Sequence, residues 1–185
     1  MKTSRLRGML VAGFILAAAG PAASEGLTIQ ARGAYFSPTD KIFREIYGYG
    51  MSWGGELSFS ISERGAIWAG GDYYSKVGKL GFTQDETKIR IVPLAAGVKY
   101  FFSGGRLRPY AGAGAAYFQY KEASSIETIE KAAVGFMARA GLLVMLGPTF
   151  FMDLQGSWST CSVQPGNVKA NLGGLSLGLG LGFEF

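Results

Sequence analysis

The last segment of the chain, Gly173–Phe185, alternates large apolar residues with small ones at a strict period of two. The large residues are Leu175, Leu177, Leu179, Leu181, Phe183 and Phe185. A period of two puts all of them on one face of a β-strand. A helix is a poor alternative, because each glycine inside a helix costs about 1 kcal/mol. Glycine after glycine on the second face fits the interior of a narrow barrel better than a face in water.

Seven other segments carry similar alternation, and the three longest, of 15 residues each, are too long for an ordinary soluble strand. Soluble strands usually have about 5–6 residues, whereas a tilted membrane strand needs about 9–11. The predicted strands are Leu27–Phe36, Tyr47–Ile61, Ala66–Tyr74, Lys88–Phe102, Arg108–Tyr120, Ala132–Leu146, Phe150–Thr160 and Gly173–Phe185. The pattern does not settle the facing of Arg108–Tyr120. Because proline lacks the donor of a strand ladder, we interpret Pro93 and Pro109 as bulge or strand-end positions.

Short and long connections alternate along the whole chain. The short ones are Ser62–Gly65, Ser103–Leu107 and Gly147–Thr149, and the long ones are Ser37–Ile46, Ser75–Thr87, Lys121–Lys131 and Cys161–Lys169. This rhythm is typical of an up-and-down barrel with both termini on one side. The sequence therefore predicts an all-β membrane β-barrel of eight antiparallel up-and-down strands, with short periplasmic turns and longer extracellular loops.

The N-terminus is typical of a secretory signal peptide. Lys2, Arg5 and Arg7 precede the apolar run Met9–Ala19, and small residues follow. We expect residues 1–24 to be cleaved, with the cut after Ser24 or one residue earlier, which leaves residues 25–185 as the barrel domain. A membrane anchor helix is the alternative, but the run is short and no polar linker follows. The mature chain keeps 15 basic and 13 acidic residues, so its charge does not favour nucleic acid as a partner.

Aromatic residues fall near both ends of the predicted strands, as expected for the two interfaces of a bilayer. The predicted outer girdle is Tyr35, Tyr47, Tyr49, Tyr73 and Tyr117, and the predicted periplasmic girdle is Phe59, Tyr100, Phe150, Phe183 and Phe185.

Three stretches resemble the small eight-stranded outer-membrane barrels of the OmpA/OmpX and opacity-protein type. Pro93–Phe102 looks like the fourth strand of that group, Leu107–Gly114 looks like the fifth, and the last strand ends on an aromatic residue. The resemblance implies a location in the outer membrane, outer-membrane lipid and lipopolysaccharide as surroundings, and a monomer. It also implies that Phe183 and Phe185 form the signal read by the barrel-assembly machinery. The group includes adhesins, structural anchors and small channels, so the resemblance implies no single activity.

The chain contains no histidine. This excludes Ser-His-Asp and Cys-His catalysis and every histidine-dependent metal site. We therefore expect no enzyme, no cofactor and no metal site. Cys161 is the single cysteine, and we interpret it as a tolerated loop residue, with a free or intermolecular thiol as the alternative.

Seven charged residues are predicted to point into the barrel. They are Arg32, Glu56, Asp72, Lys99, Arg139, Asp153 and Glu184. Inside a narrow barrel such charges must pair or meet trapped water. We interpret them as a structural ion-pair network. The alternative is a gated polar path, with Arg139 and Glu56 as partners. In the first long loop, Ile42 and Phe43 either touch a partner or, in the interpretation we favour, pack on the barrel rim.

These observations favour a structural or surface-interaction (adhesion-like) role with a packed polar lumen. The alternative is a narrow channel for ions or small solutes, and a lipid-modifying outer-membrane enzyme is the remote third hypothesis.

Overall fold

The computed structural model describes residues 26–79, 86–123, 128–163 and 170–185, so the predicted signal peptide lies outside the described residues. Its elements are β1 (Leu27–Pro38), α1 (Lys41–Tyr47), β2 (Gly50–Ser60), β3 (Gly65–Lys79), β4 (Glu86–Phe101), β5 (Leu107–Ala123), β6 (Thr128–Met145), β7 (Phe150–Thr160), β8 (Ser162–Val163), β9 (Ala170–Asn171) and β10 (Gly174–Glu184). Eight of the strands form a closed barrel in the order β1-β2-β3-β4-β5-β6-β7-β10. Every neighbouring pair is antiparallel, and β10 closes the barrel on β1. The predicted eight-stranded up-and-down barrel is confirmed.

The connections divide the barrel into two ends. The short links β2–β3, β4–β5 and β6–β7 lie at the same end as the chain termini, which we call the turn end. The opposite, loop end carries α1, the tips of two long hairpins and the small β8–β9 hairpin. Strands β3 to β6 have 15 to 18 residues, whereas β2, β7 and β10 have 11. Much of the sequence predicted to form the loops Ser75–Thr87 and Lys121–Lys131 is therefore strand. On one side of the barrel, the four strands β3 to β6 extend further at the loop end than the other strands do.

The outer face of the barrel is apolar from strand to strand. Trp53, Val134 and Leu177 are each more than 60% exposed, and the alternate residues of β10 all project outward. Tyr35, Tyr49, Tyr73 and Tyr117 are exposed towards the loop end, and Phe59, Tyr100, Phe183 and Phe185 towards the turn end. An apolar band between two aromatic girdles is the surface that a membrane barrel presents to lipid. Separately, no helix within the described residues is long and apolar enough to cross a bilayer.

Tyr47 is not part of the outer girdle, and the second strand does not begin there. Strand β2 begins at Gly50, and the residues before it form α1. Asp40 caps the start of α1 by accepting a hydrogen bond from the Phe43 amide, and Gly48 ends it with φ of 64°. That φ is one that glycine adopts at little cost. The helix turns Tyr47 into the barrel, where it is 5% exposed, so the sequence expectation for this residue was wrong.

Pro93 lies within β4 and does not mark a bulge or a strand end. The β3–β4 register is the same on both sides of it, since Gly71 pairs with Leu94 and Tyr74 pairs with Ile91. The ladder to β3 lacks the intervening pairs, whereas Pro93 pairs normally with Phe118 on β5. The cost of the missing donor is thus a local gap in one ladder. Pro109, by contrast, lies near the start of β5, as predicted.

Candidate functional site

The middle of the barrel interior is organised around one carboxylate, that of Glu56 on β2. Lys99 Nζ lies 2.5 Å from Glu56 Oε1, and Arg32 Nη1 lies 3.1 Å from Oε2. Arg139 Nη1 contacts the same Oε2 atom, and the Ser58 hydroxyl donates to Oε1 at 3.0 Å. Three cations from β1, β4 and β6 therefore converge on one acid. Because little water reaches these groups, each charge depends on its partners for compensation.

Two further contacts hold the arginines of this group in place. The Arg32 guanidinium donates to both carboxylate oxygens of Asp72 on β3, at 2.9 and 2.8 Å. This two-point geometry fixes the plane of the guanidinium. The Arg139 guanidinium lies 3.5 Å from the ring centroid of Trp68, a cation–π contact. We call Arg32, Glu56, Asp72, Lys99 and Arg139 the ionic belt.

The ionic belt extends across the whole lumen. In the barrel order, β2 and β6 are separated by four steps in either direction, so they face one another across the axis. The contact between Glu56 and Arg139 is thus a contact between opposite walls. The contact of Trp68 on β3 with Arg139 on β6 spans three strands. A barrel of eight strands has an interior just wide enough for side chains to fill, and here they meet in the middle.

Asp153 lies apart from the belt and is held by neutral donors. Gln30 Nε2 donates to Asp153 Oδ2 at 2.9 Å, and the Tyr110 hydroxyl donates to the same atom at 2.8 Å. Among the described residues, no cation forms an ion pair with this carboxylate. Just below it, Tyr110 packs with Leu143, Met145 and Phe151.

Glu184 lies at the turn end and forms a separate contact across the barrel mouth. Both of its carboxylate oxygens lie 2.9 Å from Arg108 Nη1 on β5. Between this pair and the ionic belt lies a cavity of about 330 Å³ that is open at the turn end and is lined by Gln30, Ser58 and Lys99, among others. The lumen is therefore accessible from the turn end as far as the belt.

An apolar cluster closes the lumen between the ionic belt and the loop end. We call it the plug, and its members are Phe36, Phe43, Tyr47, Trp68, Tyr74, Ile89, Ile91, Ala95, Ala116, Phe118, Tyr120, Met137, Cys161 and Leu172. α1 inserts Phe43 and Tyr47 into it, with the two rings 4.9 Å apart. Phe43 thus packs inside the rim, as the sequence interpretation favoured, whereas the side chain of Ile42 lies outside the described part.

Polar contacts fasten α1 to the barrel. The Tyr47 hydroxyl donates to Glu122 Oε1 at 2.5 Å, and the Thr87 hydroxyl donates to the same atom at 3.2 Å. Tyr120 also donates to this carboxylate. Burial and the Glu122 carboxylate both raise the pKa of Tyr47, so its hydroxyl keeps its proton and acts as the donor. On the other side, Asp40 Oδ2 accepts from the Asn171 amide at 3.3 Å.

Little space remains between the plug and the belt. A cavity of about 40 Å³ lies there, lined by Arg32, Ser52, Asp72, Tyr74 and Ser159 among others. A single water needs about 10–15 Å³ by this measure and two to four polar partners, so the cavity has room for isolated waters. Within the described residues, no group of three or more Cys, Asp and Glu side chains is close enough together to hold a metal ion.

The structure places all seven predicted lumen charges on the inner face but divides them into three groups. Five form the ionic belt, Asp153 bonds to neutral donors, and Glu184 pairs with Arg108. Arg108 and Tyr110 were not predicted as lumen residues, because the pattern of their strand does not settle its facing. Gln30 and Trp68 were not predicted as partners, because neither carries a charge. In retrospect, buried Tyr110, Phe118 and Tyr120 on alternate positions show which face of β5 points inward.

Cys161 is a buried free cysteine, 2% exposed, and belongs to the plug. The interpretation of this residue as a tolerated loop position does not describe its environment, since its side chain packs with the apolar interior.

No family model matches the chain, and no curated protein sequence matches it. Solved structures do match over most of its length. Neisserial surface protein A aligns with a TM-score of 0.69 at 16% identity, covering 87% of this chain and 98% of that one. OprG from Pseudomonas aeruginosa aligns with a TM-score of 0.68 at 14% identity, covering 88% and 97%. The chain has the fold of the small eight-stranded outer-membrane barrels.

A third match of this fold has a ligand in its structure. Ail, the attachment invasion locus protein of Yersinia pestis, was solved in complex with the heparin analogue sucrose octasulfate. It aligns with a TM-score of 0.55 at 16% identity, covering 86% of this chain and 99% of that one. At these identities the likeness concerns the fold alone.

The two aromatic residues predicted to form the assembly signal lie on the outer face at the turn end. Phe183 packs on Phe150 of the neighbouring strand with ring centroids 5.3 Å apart. Phe185 is 56% exposed, and its carbonyl accepts from the Gly26 amide at 2.7 Å. Both side chains are thus accessible from the lipid side, where an assembly factor could contact them.

Proposed function

We propose that this protein is a closed outer-membrane barrel with a structural or surface-interaction role. The observation that carries the proposal is the contact between Glu56 and Arg139, which joins opposite walls of the barrel. Above it, the plug fills the lumen up to α1. A barrel with its interior occupied in this way offers its outer surfaces, rather than a pore, for function.

The outer-membrane location follows from the fold and from the lipid-facing surface. Short turns and both termini are typical of the periplasmic end of such barrels, and longer segments are typical of the extracellular end. The segments at the loop end would then face the cell exterior. The small barrels with this fold include a protein named for attachment and invasion and a neisserial surface protein, which supports a surface-interaction role.

Expression of the full chain in a Gram-negative host tests location and fold together. We expect the mature protein in the outer-membrane fraction, with different gel mobility before and after boiling in detergent. Protein recovered in the soluble periplasm, or with one mobility under both conditions, would contradict the proposal.

A narrow solute channel is the second candidate. The observation that favours it is the cavity of about 330 Å³ that reaches Lys99 from the turn end. A liposome-swelling assay with small sugars separates the two candidates. The closed barrel gives the swelling rate of protein-free liposomes, whereas a solute channel gives faster swelling that depends on sugar size.

We propose that the protein is not an enzyme, because the whole chain lacks histidine. A lipid-modifying activity would alter the mass of lipid A in cells that produce the protein. Mass spectrometry of lipid A from producing and non-producing cells should give the same spectrum, and a new acylation or deacylation product would overturn this part of the proposal.

A further inference from the structure

On the barrel strands, outward-facing cations at the loop end are concentrated in one sector. Lys88 and Arg90 on β4 and Lys121 on β5 are exposed and alternate with buried residues, so they project away from the lumen. At the same end, the described outward positions of β1, β2, β7 and β10 are uncharged: Tyr35, Ser37, Met51, Trp158 and Leu175. The basic sector lies on the outer face of the four long strands β3 to β6.

These cations border a groove on the outer face. The groove has a volume of about 380 Å³ and lies across β4, β5 and β6. Its charged lining consists of Arg90, Lys121, Lys131 and Glu130. Glu130 pairs with Lys121. The Arg90 guanidinium lies 5.6 Å from the Tyr73 ring centroid and forms no ion pair among the described residues. The groove thus carries an excess of positive charge.

The height of the groove coincides with that expected for lipid headgroups. Arg90 on β4 lies directly opposite Lys121 in the register with β5. Tyr117 lies on the same strand as Lys121, four residues closer to the turn end. At about 3.4 Å per residue and a strand tilt of about 40°, the cations lie roughly 10 Å above the Tyr117 ring along the bilayer normal. Aromatic girdles mark the edge of the hydrocarbon region, so the groove opens sideways just above that edge.

We propose that this groove binds the phosphate groups of phosphorylated glycolipid headgroups in the surrounding leaflet. The proposal rests on the outer-membrane location given under Proposed function and extends it to a specific lipid contact. Arginine binds phosphate through two parallel hydrogen bonds, and lysine adds a point charge. A second copy of the chain would bring like charges together. A soluble polyanion would approach from above, whereas the groove faces the leaflet.

Native mass spectrometry of the folded, detergent-solubilised full chain tests the proposal. The probes are a diphosphorylated diglucosamine lipid and the same lipid after removal of both phosphates. We expect the unmodified chain to retain the phosphorylated form about tenfold more than the dephosphorylated form, and the preference to fall as salt is raised. In the double variant Arg90→Gln, Lys121→Gln the preference should fall to near equality, since each basic residue near an anionic lipid surface strengthens binding about fivefold.

A matched control carries the same change of charge at the other end of the barrel. Arg64 and Arg106 lie exposed in the short turns, and Arg64→Gln, Arg106→Gln should keep the full preference. Heat-modifiable mobility shows beforehand that each variant is folded. Arg90→Lys should keep part of the preference, because the charge remains but the two parallel hydrogen bonds of arginine are lost.

Three outcomes would overturn the proposal. One is equal retention of both lipids by the unmodified chain, and another is an unchanged preference in the double variant. The third is equally tight binding of a phosphorylated disaccharide without acyl chains, which would identify a soluble polyanion as the occupant. The assay uses purified protein, so its failure leaves the outer-membrane location untouched, and that location is tested by cell fractionation.

Discussion

The carboxylate of Glu56 on β2 contacts the guanidinium of Arg139 on β6, which lies on the opposite wall of the barrel. The side chains of Glu56 and Arg139 are 1% and 0% exposed. Two other cations, Arg32 and Lys99, share the same carboxylate. One acid therefore compensates charge from three strands, and the interior of the barrel depends on it.

Replacing Glu56 by glutamine should destabilise the barrel strongly. The change keeps the side-chain shape but leaves three buried cations with Asp72 as their closest acidic partner. Removal of one member of a buried ion pair typically costs about 3–5 kcal/mol. The free energy of unfolding in urea, measured in detergent micelles by the loss of heat-modifiable mobility, checks this.

Glu184→Gln is the matched control, since Glu184 also pairs with an arginine but lies at the open turn end. Partly exposed pairs contribute about 0–1 kcal/mol, so the loss should be small. Equal losses in the two variants would show that the ionic belt has no special role in stability.

A lysine on the lipid face should be tolerated near the edge of the barrel but not in the middle. Leu179 and Leu175 are 57% and 58% exposed on the same face of β10 and differ in depth. A cation at the midplane of a bilayer costs about 2–4 kcal/mol, and near the interface about 0–1. Unfolding in lipid vesicles should therefore show a large loss for Leu179→Lys and a small one for Leu175→Lys. The same loss for both would argue against a surrounding bilayer.

The barrel itself could be predicted from the sequence because its two faces differ in chemistry at every second residue. In β10, leucine alternates with glycine and serine, so one pattern gives both the strand and its facing. In β5, glycine and alanine occupy both faces, and the alternation disappears. Gly114 on β5 and its partner Gly97 on β4 show why: a Cβ at either would approach the backbone of the other strand within 2.0 to 2.2 Å. Close packing of the strands requires small residues there, so the alternation of large apolar and small side chains is lost.

The partners of the lumen charges could not be predicted, because they depend on which strands face one another and at what height. Asp153 and Lys99 both point inward, yet Asp153 bonds to Gln30 and Tyr110 instead.

The helix α1 could have been predicted from its own residues, although they were included in the alternating pattern of the second strand and its preceding loop. Asp40 is a good N-cap, Phe43 and Tyr47 have helical spacing, and Gly48 follows.

The Tyr47 hydroxyl should control how firmly α1 is held. Tyr47→Phe removes the donor to Glu122 and leaves a partly buried carboxylate with one fewer partner. The loss of such a bond costs about 1–3 kcal/mol locally. We expect faster hydrogen exchange of the α1 amides and unchanged exchange in β10.

Tyr49→Phe provides the comparison, because it removes the same atom from an exposed ring of the outer girdle. This variant should leave α1 exchange unchanged. If Tyr47→Phe also leaves it unchanged, the hydroxyl does not fasten the helix.

Phe185 should matter for assembly more than for stability. Phe185→Ala keeps the backbone contact with Gly26 but removes the exposed ring. We expect slower insertion into the outer membrane and accumulation in the periplasm, measured by pulse-chase fractionation. Phe102→Ala removes an equally exposed ring at the same end and should assemble at the normal rate. Normal assembly of Phe185→Ala would contradict the assigned signal.

Single-channel recording in planar bilayers tests the closed lumen most directly. The unmodified protein should give no steady current, and replacement of α1 by a Gly-Ser linker should still give none, because the contact between Glu56 and Arg139 remains. A steady current through the unmodified protein that disappears in Glu56→Ala or Arg139→Ala would contradict the closed barrel and show that these residues line a conducting path.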